Sequence, residues 1–182
     1  MGASGWSYFV PYQTDISKAL QDLREAVFQK GEYYLRDVSE NDLSFDDVSP
    51  SGLDLTEEER SDYLTILQGR QSLLEERETL PKPTSIETLL QWNAEEGTHS
   101  IIDIEQVAQA PSFGVVAPLS NEEIKSFFGT EKPTRTMVEN KEGALTVFLQ
   151  NELGRSRWQG TYIVVYKENE PTEIYFTGYS GD

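Results

Sequence analysis

The sequence predicts an α+β protein in which a small, mainly antiparallel sheet, including a C-terminal hairpin, packs against amphipathic helices. Three observations carry that expectation. Thr161–Lys167 and Thr172–Gly178 are β-branched and aromatic runs separated by the polar stretch Glu168–Pro171, the pattern of a hairpin. Asp15–Lys30 carries Ile16, Ala19, Leu20, Leu23 and Val27 at the three-and-four spacing of a helix. An aromatic share of 11% over 182 residues supplies large apolar side chains for a core, and one compact domain of this length buries roughly 70% of the surface that its unfolded chain exposes. A single domain spanning 1–182 is expected.

The elements follow in chain order. Trp6–Tyr12 reads as a strand whose Pro11 marks a sheet margin. The helix over 15–30 has Asp15 at its positive end, Lys30 at its negative end and Gly31 as a stop. Between Asp37 and Asp62 the acids Asp37, Glu40, Asp42, Asp46, Asp47, Asp54, Glu57, Glu58, Glu59 and Asp62 face only Arg60. Self-repulsion there, with Pro50, Ser51 and Gly52, predicts a loop outside the core. Thr56 and Glu59 have capping-box spacing before Tyr63, Ile66, Leu67 and Leu74, a peripheral helix that Pro81 and Pro83 end. Residues 37–83 thus read as an acidic excursion.

Beyond the excursion, Thr84 and Glu87 repeat the capping spacing ahead of Ile86, Leu89 and Leu90, a short helix closed by Gly97. His99–Val107 and Phe113–Ala117 read as strands. Ser120 and Glu123 open a helix with Ile124, Phe127 and Phe128 on one side and Gly129 at its end. Pro133 suits a first helical turn, and Ala144–Leu153 places Leu145, Phe148, Leu149 and Leu153 on one face. In the terminal hairpin, alternation sets Tyr162, Val164 and Tyr166 on one face of the first strand and Ile174 with Phe176 on one face of the second. A lone hairpin is marginal, so it is expected to pair with the other strands, with helices covering one face.

Charge bounds the function classes. Fifteen Lys and Arg stand against 32 Asp and Glu, a net of −17. Such a surface repels nucleic acid and anionic lipid and speeds encounters with basic partners. The absence of Cys removes thiol catalysis, thiolate metal sites and disulfides. No apolar run approaches the ~20 residues of a membrane span, and the start lacks a signal peptide's basic and apolar regions. Trp6 stands where a myristoylation motif requires Ser or Thr. A cytoplasmic, cofactor-free protein is expected.

The chemistry-bearing candidates are few. His99 is the sole histidine, so any imidazole general base must use it; a lone histidine at a helix-to-strand junction is more often a polar loop residue. Carboxylates from Asp42 to Glu59 lack the order of a calcium loop, and no specific metal site is expected. Two basic spots interrupt the acidity: Lys132-Pro-Thr-Arg135 and Gly154-Arg-Ser-Arg-Trp-Gln-Gly160. Arg155 and Arg157 beside Trp158 suit a carboxylate or phosphate clamp with an indole to stack on a planar group. They also read as a connector whose arginines neutralise nearby acids. Tyr8, Tyr12, Tyr162, Tyr166, Tyr175 and Tyr179 form either a binding platform on one open sheet face or core packing.

Four phrases occur together: Gly5-Trp-x-Tyr-x-Val-Pro-Tyr12, Gly97-Thr-His-Ser-Ile-Ile-Asp103, Phe128-Gly-Thr-x-Lys-Pro-Thr-Arg135 and Glu173-Ile-x-Phe-x-Gly-Tyr-Ser180. With them the chain resembles an uncharacterised group of small soluble bacterial proteins. The resemblance covers the two ends and the centre, not the acidic excursion, and it implies no catalytic residue. The functional expectation is a non-catalytic binding or regulatory protein, of inhibitor or immunity type, that covers a basic protein through charge complementarity. The alternative is an anion- or small-molecule-binding protein or enzyme with a polar pocket near His99, Arg135, Arg155, Arg157 and Trp158.

Overall fold

The computed structural model describes residues 4–35 and 82–181. The acids from Asp37 to Asp62 and the helix anticipated after Thr56 lie outside the described residues. The chain partitions at Leu35/Arg36 and Thr84/Ser85, and Met1–Leu35 with Ser85–Asp182 holds every element that follows.

Strand β1 (Gly5–Pro11) leads into helix α1 (Ile16–Lys30). The Asp15 side chain accepts from the Lys18 N–H, and Gly31 closes the helix at a positive φ of 70°, a conformation in which a Cβ would be strained. Helix α2 (Ile86–Trp92), strands β2 (Gln106–Val107) and β3 (Val115–Pro118), and helices α3 (Asn121–Phe128) and α4 (Arg135–Asn151) come next. Strands β4 (Gln159–Lys167) and β5 (Glu170–Tyr179) finish the chain as the expected hairpin.

The fold is α+β. Its five strands run in the order β1-β5-β4-β3-β2. The long pairs β1/β5 and β5/β4 are antiparallel, and the short pairs β4/β3 and β3/β2 are parallel, so the sheet is mostly antiparallel.

Helices cover both faces of this sheet, where one covered face was expected. Ile174 and Phe176 of β5 join Trp6, Val116 and the α1 residues Leu20, Leu23 and Val27 in one core. Tyr175 joins Ile163, Val165 and the α4 residues Val138, Leu145 and Leu149 in a second. Successive strand residues point to opposite faces, and both parities of β4 and β5 are apolar. Each face therefore needs a cover. The same division places Tyr8, Tyr12 and Tyr162 against the first core and Tyr175 in the second. The tyrosines thus share no single open platform.

Local departures have local causes. Strand geometry over 99–107 shrinks to Gln106–Val107 because Ile101–Asp103 form a 3-10 turn, which the Ser100 hydroxyl caps by accepting from the Ile102 N–H at 3.2 Å. Helix α2 is capped by Ser85 rather than Thr84 and ends at Asn93, ahead of Gly97. Thr134 caps one continuous α4. The hairpin turn is only Glu168-Asn169, both at positive φ, the geometry of a two-residue hairpin turn. Pro171 is accommodated inside β5 by a register shift opposite Val165/Tyr166.

Candidate functional site

The connector between α4 and β4 positions most of the anticipated site residues. As α4 ends, the Arg155 N–H donates back to the Leu149 carbonyl at 2.8 Å, which folds the connector against the helix and buries the Arg155 side chain to 8% exposure. Its Nε has no hydrogen-bond partner among the described residues. Burial pulls the guanidinium's pKa down, and the charge of Glu123 opposes that shift. Arg157 donates from Nη1 to the Gly181 carbonyl at 3.4 Å. Arg155, Ser156 and Arg157 line a groove of about 540 Å³ with Gln150 and Tyr179.

Trp158 is held differently. Its backbone bridges two strands: its N–H donates to the Tyr179 carbonyl at 2.9 Å and its carbonyl accepts from the Gly114 N–H at 2.8 Å. Both bonds hold it at a φ of 62°, uncommon for a bulky side chain. The indole packs against Gly97 and Gly181, where an added Cβ would collide with the ring. Phe113, 71% exposed, leans on it at a centroid distance of 5.3 Å. Packed this way, the indole is a wedge between two loops, not the stacking plate the sequence suggested.

Behind the wedge lies a buried polar cluster. Asp103, 4% exposed, accepts from the Thr98 N–H at 2.8 Å, and the Thr98 and Ser100 hydroxyls pair at 2.8 Å. Burial raises the Asp103 pKa, while Thr98, the Ser180 hydroxyl and His99 act to lower it. Ser180 stands near enough for that influence, yet neither its Oγ nor Asp103 Oδ2 completes a hydrogen bond of normal geometry. His99, at a φ of 52°, stacks on Tyr34 with centroids 4.3 Å apart. Tyr34 in turn donates its N–H to the Thr98 carbonyl at 2.7 Å.

The structure brings together Arg155 and Arg157 in one groove, and Trp158 with the loop that carries His99. It does not bring in Arg135. That residue opens α4, whose 17 residues span about 25 Å, and Arg155 follows the far end. Arg135 is engaged by Glu139 at 2.8 Å and by Glu173 and lies over the Phe9 ring. Its neighbour Lys132 donates to the Asn169 carbonyl at 3.3 Å, so this basic spot braces the hairpin turn. Among the described residues, no three His, Asp or Glu side chains converge as a metal site, and no helix is long and apolar enough to cross a membrane.

Sequence reasoning missed Ser180 and the two glycines under Trp158. Asp103 and Ser180 close the phrases 97–103 and 173–180, which meet here. The two small residues flanking Tyr179-Ser180 were the available signal, since glycines mark close approach. No family model, curated protein or solved structure matches the chain.

Proposed function

We propose that the chain is a non-catalytic binding or regulatory protein acting on a basic protein partner. The observation that carries this reading is the acidity and its placement. The net charge is −17, with the acids from Asp37 to Asp62 set against Arg60 alone. On the folded body, every described Asp and Glu except Asp103 is exposed or half-buried. Charge held at the surface acts on an approaching partner through the full field of the molecule, raising association rates and disfavouring acidic competitors. The polar pocket of the enzyme-like alternative draws no support from Arg135, which sits at the other end of α4 paired with carboxylates.

The test is capture from a lysate at low and moderate salt. One bait is the intact protein; the other carries Asn and Gln in place of the acids from Asp37 to Asp62. The expected outcome is a stoichiometric basic protein that the intact bait holds at low salt, releases at moderate salt, and that the neutralised bait does not hold. Equal retention by both baits, or no retained protein, rules the reading out.

A further inference from the structure

We infer that the groove between the C-terminal end of α4 and the end of β5 is a binding site for a small organic anion, whose carboxylate or phosphate head is taken by Arg155 with Arg157. This site is independent of the surface charge that motivates the proposed protein partner.

Burying a cation is costly. A guanidinium taken out of water needs its donors satisfied and its charge offset. Arg24, the other buried arginine among the described residues, meets the first need: its Nε and Nη2 donate to the Ile102 carbonyl at 3.3 and 3.1 Å, and its Nη1 donates to Gln21 at 2.8 Å. Arg155 is as buried, at 8% for both, but its Nε is left unpaired. It makes no ion pair among the described residues, in a chain with 32 acids to 15 bases. Among the described residues no carboxylate pairs with this guanidinium, and it lines an open groove.

The remaining lining residues suit the same ligand. Arg157 adds a second guanidinium at the rim. The Ser156 hydroxyl and Gln150 amide are neutral donors. The Tyr179 hydroxyl is committed to the Thr146 carbonyl at 2.9 Å, so Tyr179 contributes a wall to the groove rather than a donor. Arginine forks match the two oxygens of a carboxylate or phosphate. The volume, about 540 Å³, falls in the range of small-molecule sites. The surrounding negative field works against polyanions such as nucleic acid and favours a compact ligand whose charge is met locally.

The experiment is thermal unfolding of the full chain with inorganic phosphate in one arm and succinate in the other, each against sodium chloride at matched ionic strength. A saturable rise in melting temperature beyond the chloride control is expected in at least one arm, and the arm that responds identifies the head group. Arg155→Met should weaken the apparent affinity at least 10-fold and Arg157→Gln at least 3-fold, while Arg135→Gln leaves it unchanged. Arg157 is exposed, so its variant reports even if Arg155→Met does not fold. Absence of a saturable effect in both arms, or an effect that survives Arg157→Gln and any folded Arg155→Met unchanged, overturns the site.

Discussion

Asp103 is the one buried carboxylate among the described residues, and its surroundings decide what it does to stability. Desolvation raises its pKa against the opposing influence of Thr98, Ser180 and His99, so the folded state holds this proton more tightly than the unfolded chain. The stabilisation it brings is complete below the usual carboxylate range and is lost as pH rises through the raised folded value. Asp103→Asn keeps an oxygen for the Thr98 N–H and removes the buried charge. The variant is expected to be more stable than the parent at pH 7, with the difference vanishing below about pH 4. Urea midpoints at the two pH values check this; a variant less stable at pH 7 would show that the charge-assisted bond to Thr98 outweighs desolvation. At this scale the sequence was partly legible: the positive φ of Gly31 followed from its place after Lys30, while the same conformation at His99 and Trp158 had no signal, because contacts from distant segments impose it.

Helix α4 shows how an element is assembled from conflicting local preferences. Thr134 caps it by accepting from the Met137 N–H, and Val138, Leu145, Phe148 and Leu149 bury its inner face. Its middle carries Gly143, which is exposed with open space around its Cα. Glycine inside a helix costs about 1 kcal/mol relative to Ala through backbone entropy. Gly143→Ala is therefore expected to stabilise the protein by about 0.5–1 kcal/mol, read as a higher urea midpoint at unchanged slope. A loss of stability would mean that α4 needs the freedom of that glycine. The residue beside it explains why one long helix forms where the sequence suggested two signals, one at Pro133 and one at 144–153. Glu142 accepts from the Tyr175 hydroxyl at 3.0 Å and from Ser7, tying the middle of α4 to β5 and β1. The buried Tyr175 hydroxyl is pushed up to about 12 and remains a donor to Glu142 across ordinary pH. Tertiary contact thus carries the helix through its weakest point.

The whole molecule carries a net charge of −17, and that self-repulsion opposes compaction. Screening shortens its reach from about 30 Å at 0.01 M salt to about 8 Å at 0.15 M. Raising sodium chloride across that interval is expected to stabilise the chain by about 1 kcal/mol, hence roughly 2–4 °C in melting temperature. A flat or falling melting temperature would show that surface ion pairs such as Lys18–Asp22, which salt weakens, outweigh the repulsion. The class of fold, the terminal hairpin, α1 with its Gly31 stop, α3 with its Ser120–Glu123 capping box and Gly129 stop, and the acidity were all legible in the sequence. Each of these follows from residues close in the chain: alternation in Thr161–Lys167, the 3.6-residue period from Ile16 to Val27, the reciprocal Ser120 and Glu123 bonds. The covering of both sheet faces, the burial of Arg155 with no carboxylate paired to it among the described residues while Arg135 has two, and the wedging of Trp158 between Gly97 and Gly181 come from the tertiary structure. Those are encounters between distant segments, set by which apolar faces must be shielded together and which backbones can approach, and no local pattern encodes them.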